Sequence, residues 1–193
     1  MKKINKAIIG GLAVLGVGVT SSAAAAGVVF LPITKSGYEL EPTVSLMVGT
    51  MKGTQDGAES SSIIGAEFAF RCGLVQMGDN QLRQQFSITS WDKNSLNMKN
   101  IELNLHYQMP VAKEVKVGFG PGVGVILTDL AGSNNPTFFG GQLGASVNYA
   151  GLGAISLGAE ARYQITNEDS FVSGATKDNM NNWRVAAKVG YSF

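Results

Sequence analysis

Cysteine, histidine and long apolar runs are what this sequence has least of. Its 193 residues include one cysteine, Cys72, and one histidine, His106. A lone cysteine excludes an internal disulfide. With a single histidine and no second cysteine, no metal-ligating set is in view, and no motif asks for a cofactor. Past residue 26, no stretch approaches the roughly 20 apolar residues that a transmembrane helix needs. An excess of positive charge is missing as well. Residues 27–193 carry 12 basic and 14 acidic side chains, net −2, which gives no support for nucleic-acid binding.

Residues 1–26 read as a secretory signal peptide. Lys2, Lys3 and Lys6 make a basic start, Ala7 to Val19 an apolar stretch, and Ala24 and Ala26 an A-x-A cleavage register before Gly27. Thirteen apolar residues are too few for a spanning anchor. Residues 27–193 are then one exported domain, opening on an irregular segment up to residue 37 that Pro32 interrupts.

What the remainder has in abundance is period-two alternation, eight times over, between stretches of Gly, Asn, Asp and Ser. The predicted strands are Tyr38–Met51, Ile63–Leu74, Gln81–Trp91, Lys99–Met109, Val115–Thr128, Thr137–Tyr149, Ala154–Thr166 and Trp183–Phe193. Pro42 argues mildly against the first of these. The fourth is unbroken: Ile101, Leu103, Leu105, Tyr107 and Met109 oppose Glu102, Asn104, His106 and Gln108. Connections after odd-numbered strands are mostly longer than those after even-numbered ones, the pattern of short periplasmic turns and longer surface loops. Eight strands of about 11 residues suit tilted crossings of a bilayer.

A secreted barrel with an apolar interior would alternate in the same way. Three features favour the opposite arrangement, apolar side out. Aromatic residues gather at strand ends, as interfacial girdles do. Tyr38, Phe70, Tyr107, Tyr149, Tyr191 and Phe193 fall at one end; Phe139, Tyr163 and Trp183 fall at the other. Charges sit at mid-strand on the polar face. The chain stops on the alternating run Trp183 to Phe193, with no helix after it.

On the leader, the strand count, the loop alternation and the Tyr191-Ser192-Phe193 ending, the sequence resembles the small eight-stranded outer-membrane barrels. That class includes the OmpA transmembrane domain, OmpX and OmpW. The resemblance implies an all-β, eight-stranded antiparallel up-and-down transmembrane barrel in the outer membrane of a Gram-negative bacterium. It also implies Tyr191 and Phe193 as the C-terminal assembly signal, and a monomer surrounded by lipid and lipopolysaccharide. Periplasmic chaperones and the barrel-assembly machinery would be its partners during biogenesis. It does not imply an activity, since this fold serves many roles.

The charges assigned to the interior are Glu39, Glu41, Glu67, Glu102 and Glu160 against Arg71, Arg83, Lys116, Arg162, Arg184 and Lys188, with His106 among them. An eight-stranded barrel is just wide enough for side chains to fill, and unpaired burial is costly. A salt-bridged plug is therefore expected, with a charged eyelet in a narrow solute path as the alternative. Gly118, Gly120, Gly122 and Gly124 could be mistaken for a phosphate-binding loop, but no helix follows them. With Gly140 and Gly144 they should form a bare wall that takes long side chains or leaves a small cavity. The run His106-Tyr107-Gln108 lacks the His-x-Ser pattern of lipid A deacylases, so no enzyme is expected. Cys72 is placed on the lipid face. The predicted surface loops hold Lys52, Asp56, Glu59, Asp92, Lys93, Asp129, Glu168, Asp169, Lys177 and Asp178, net −4, with Phe171 and Val172 as an apolar pair. A structural or surface-interaction role follows as the expectation, and a narrow channel for small or hydrophobic solutes as the alternative.

Overall fold

Alternating strands build a closed cylinder. The computed structural model describes residues 27–193 apart from 56, 78–80, 94–95, 131 and 173. The leader and the Gly78-Asp79-Asn80 turn therefore lie outside the described residues. In chain order the strands are β1 (Val28–Phe30), β2 (Thr43–Gly53), β3 (Ser60–Arg71), β4 (Val75–Met77), β5 (Gln81–Lys93) and β6 (Leu96–Ala112). They continue with β7 (Val115–Leu130), β8 (Thr137–Leu152), β9 (Ile155–Thr166), β10 (Glu168–Asp169), β11 (Asp178–Asn179) and β12 (Asn182–Ser192). The eight long strands form one antiparallel barrel in the order β12-β2-β3-β5-β6-β7-β8-β9. Its seam joins the first and last of them, from Thr43↔Ser192 to Gly53↔Asn182.

Side chains on successive strand residues point to opposite faces. Leu46, Ile64, Leu103, Leu143 and Val189 are exposed on the outside, while Ser45, Glu67, Glu102, Gln142 and Lys188 are buried within. A soluble barrel would reverse this order. The polar interior with an apolar exterior is the arrangement that bilayer-spanning barrels adopt.

Connection lengths depart from simple alternation. β5 and β6 extend so far that only residues 94 and 95 separate them. At the opposite end, β3 and β5 are joined by nine residues that contain β4. The turns at residues 113–114 and 153–154 are two residues long, and the longest loop, 167–181, holds the β10–β11 pair. By the rule that periplasmic turns are short, the end carrying residues 113–114, 153–154 and Ser192 is periplasmic.

Two strand details follow from residue type. The first barrel strand begins at Thr43 because Glu41, with φ +47°, breaks the extended run just before Pro42. Glu39 is therefore exposed and precedes the barrel, so it is not the interior residue that alternation predicted. Tyr38, also ahead of the strand, sits at the rim and donates its hydroxyl to the Arg71 carbonyl at 2.6 Å. In β7, Pro121 has no N–H to give. The β6–β7 ladder is interrupted there, opposite Leu105 and His106, and resumes in the same register at Tyr107↔Phe119.

The upper interior is apolar. Met47, Met51, Ile63, Trp91, Met98, Ile126 and Phe138 point inward near the extracellular end and pack as one cluster, with Leu96, Phe171 and Met180 against it. Phe171 comes from the long loop. Its carbonyl accepts from Asn134 N–H at 2.8 Å, so two loops are tied together above the cluster.

The segment after residue 26 is ordered rather than irregular. β1 pairs antiparallel with β4, and Pro32–Thr34 form a 3-10 turn. Cys72 is buried, not lipid-facing: its N–H donates to the Leu82 carbonyl at 2.7 Å, and the Gln76 amide binds its own carbonyl at 2.8 Å.

Candidate functional site in the barrel interior

Below the apolar cluster, three carboxylates and three cations meet. Glu67 comes from β3, Glu102 from β6, Glu160 and Arg162 from β9, and Arg184 and Lys188 from β12. Each residue is at most 5% exposed. Arg162 is the hub. Its Nε donates to Glu160 Oε1 at 2.7 Å, and its Nη2 to Glu160 Oε2 at 2.9 Å, to Gln85 Oε1 at 3.1 Å and to Glu67 Oε2 at 3.4 Å. Its Nη1 lies 3.4 Å from Glu102 Oε2. Lys188 Nζ bridges Glu67 Oε1 at 2.9 Å and Glu160 Oε2 at 2.8 Å. Arg184 pairs with Glu102, which also accepts from Ser87 Oγ and Asn100 Nδ2, both at 2.8 Å. The six formal charges cancel. Charges removed from water need such pairing and hydrogen bonding to persist.

A second group sits at the periplasmic mouth. Glu41 pairs with Arg71 at 3.1 Å and Arg83 at 3.6 Å. Arg83 Nη2 also donates to the Glu41 carbonyl at 2.9 Å, and Lys116 Nζ to Gln81 Oε1 at 2.8 Å. Arg71 lies 5.8 Å from the Tyr38 ring centroid. Burial raises the Tyr38 hydroxyl above its usual range. Between this group and the network is a cavity of about 220 Å³, with Glu41, Arg83 and Lys116 nearer the rim and Glu67 and Lys188 at its inner end.

The predicted charges thus fall into two sets. Glu67, Glu102, Glu160, Arg162, Arg184 and Lys188 converge at mid-barrel. Glu41, Arg71, Arg83 and Lys116 gather at the mouth, and Glu39 joins neither.

The glycine wall is filled by neighbours. In one cross-strand row, Asn104, Gly122, Gln142, Gln164 and Asn182 stand side by side. Gln142 Nε2 reaches over Gly122 to Asn104 Oδ1 at 2.5 Å. His106, fully buried, has Nδ1 3.3 Å from Ser146 Oγ, and its Nε2 lies where a Cβ on Gly144 would contact it. The missing Cβ atoms of Gly144 and Gly118 leave room for the imidazole against the wall. His106 therefore faces the lumen, away from any lipid substrate. Among the described residues no group of three or more His, Cys, Asp and Glu is placed to hold a metal ion.

The aromatic residues lie near strand ends. Tyr163 and Trp183 are 4.4 Å apart between ring centroids at the extracellular end. At the periplasmic end Tyr191 and Phe193 are 5.1 Å apart and Tyr107 and Phe119 5.8 Å apart. Phe139 and Tyr149 are exposed and Phe70 is half-buried. Sequence reasoning missed the inward apolar cluster, although Met47, Met98, Ile126 and Phe138 at polar-phase positions were its signal.

The profile of the outer membrane protein beta-barrel domain matches residues 12–193. The chain belongs to this family. A search among curated proteins finds no match. Among solved structures, Neisserial surface protein A superposes with a TM-score of 0.62 at 18% identity, over 79% of this chain and 97% of its own. Ail, the attachment invasion locus protein of Yersinia pestis, gives 0.54 at 14% identity, over 81% and 100%. The N-terminal barrel domain of Pseudomonas aeruginosa OprF gives 0.52 at 11%, over 80% and 100%. At these identities the likeness is one of fold: a small outer-membrane β-barrel of the Gram-negative envelope.

Proposed function

We propose that this outer-membrane barrel is a closed, non-enzymatic scaffold that acts at the cell surface through its loops. The observation carrying this reading is the two-tier filling of the lumen. A neutral network of three carboxylates and three cations spans mid-barrel, and Met47, Met51, Ile63, Trp91, Met98, Ile126 and Phe138 fill the level above it. A hydrated ion moving through would have to break buried ion pairs and then cross an apolar layer. Both steps are costly.

The names of two structural neighbours, a Neisserial surface protein and an attachment invasion locus protein, agree with a surface role. The surface it would present is the 167–181 loop, with the β10–β11 pair and Phe171, together with the 131–136 loop tied to it. Lipid and lipopolysaccharide surround the wall. During biogenesis, periplasmic chaperones deliver the chain and the barrel-assembly machinery inserts it as a monomer, reading Tyr191 and Phe193 as the closing signal.

Planar-bilayer recording tests the closed lumen. Purified, folded protein should give no reproducible unitary conductance. Steady single-channel steps that scale with protein concentration would replace this reading with the narrow channel, for which the periplasmic cavity would be the vestibule.

A further inference from the structure

The short β1–β4 sheet at the periplasmic rim is built inside out. Val28, Phe30, Val75 and Met77 share one face, because residues directly opposite in an antiparallel pair, and residues two apart on a strand, point the same way. Phe30 and Met77 on that face are exposed. The other face carries Gln76, the only polar side chain of the six, and Gln76 is the one that is buried. Its amide accepts from Leu82 N–H at 3.1 Å and donates to the carbonyls of Cys72 and Leu82 at 2.8 and 2.9 Å. In water the order would be reversed.

Apolar residues just beyond the paired positions are exposed as well. Leu31, Ile33 and Leu74 are 51%, 57% and 59% exposed, beside Phe30 at 54%. They are fixed in place: Leu31 N–H donates to the Leu74 carbonyl at 2.7 Å and Ile33 N–H to the Gly73 carbonyl at 3.3 Å. Leu31 holds φ +48°, a left-handed conformation that strains a leucine and not a glycine. Lys35 is the only charged residue between Gly27 and Tyr38, and residues 72–77 have none.

We propose that this strap is a membrane-interface anchor, lying in the headgroup and upper acyl region of the periplasmic leaflet. The occupant is identified by continuity. The apolar outer wall of β3 and β5, with exposed Phe68 and Phe86 and half-buried Phe70 stacked on Phe86, runs up to β4, which packs beside β5. Lys35 beside the apolar face suits anionic headgroups, as in interfacial segments generally. The strap thus widens the barrel's grip on one leaflet without adding a transmembrane strand.

The experiment places a fluorophore on that face. Phe30→Trp is made in a Trp183→Phe background, leaving Trp91 as a constant buried reference, and the full chain is folded into phosphatidylcholine–phosphatidylglycerol vesicles. A heat-modifiable gel shift confirms the closed barrel. Acyl-brominated lipid should remove most of the added emission, and aqueous iodide little of it. A Ser133→Trp control at the extracellular loop should show the reverse. Iodide quenching of residue 30 at the level of residue 133, with no effect of brominated lipid, would overturn the proposal. If Phe30→Trp does not fold, Met77→Trp reads the same face. This result is independent of lumen conductance, so the anchor and the closed scaffold can fail separately.

Discussion

Glu102 has the densest surroundings of any interior carboxylate: two arginines, a serine hydroxyl and an asparagine amide all reach it. Replacing it with an isosteric amide leaves volume and packing intact but strands the positive charge of Arg184, while Arg162 keeps Glu160 and Glu67. Glu102→Gln should therefore cost about 3–5 kcal/mol, the usual penalty for removing one partner of a buried pair. Urea unfolding of the vesicle-inserted barrel, followed by tryptophan emission, measures it. A loss under about 1 kcal/mol, the range of solvent-exposed pairs, would mean that water reaches the network. That Glu102 faces inward was legible from the alternation of residues 101–109. That it pairs with Arg184 was not, because the partner lies 82 positions away in sequence and only barrel closure brings the two together.

At the scale of strands, β7 and β8 show how composition sets what a wall can hold. A Cβ on Gly120 would meet the Leu105 backbone carbonyl, which cannot rotate away, whereas one on outward-facing Gly141 would meet nothing within 4 Å. Gly120→Ala should therefore lose about 1–3 kcal/mol by overpacking, while Gly141→Ala should stay within about 0.5 kcal/mol. Parallel urea titrations of the two variants check the pair, and equal effects would show that the interior wall yields. Regular alternation made every long strand readable, with ends misplaced by a few residues where polar loop composition continued into the strand, as at Asp92 and Lys93. The β1–β4 strap was not readable. Three-residue strands offer too little periodicity, and Pro32 suggested disruption where it begins a tight turn. The apolar cluster was missed for a related reason: Met47, Ile63 and Ile126 occupy positions whose lower neighbours are polar, so the change of character along one face passed for noise in the pattern.

For the whole molecule, the distribution of charge predicts how it responds to salt. The six network residues are sealed off, while Arg71 and Glu41 at the mouth are partly exposed. Screening acts on solvated charges and hardly on buried ones. The unfolding midpoint in urea should thus change little between low salt and ~1 M sodium chloride, where the screening length falls to about 3 Å. A marked fall would place the ion pairs in contact with solvent and weaken the case for a closed lumen. The class of fold, the apolar-out order and the outer-membrane setting were all legible at this scale, since they depend on repetition over 167 residues rather than on any one contact.

The seam between β12 and β2 has one more consequence. Lys188 and Arg184 arrive on the last strand, whereas Glu67 and Glu102 are delivered much earlier, on β3 and β6. Until the final segment docks, the early acids lack their cationic counterparts from β12, so an open curl of seven strands is penalised in hydrocarbon beyond its unpaired edges. Sealing the cylinder and neutralising its contents are then a single event, and a half-finished wall has little reason to linger.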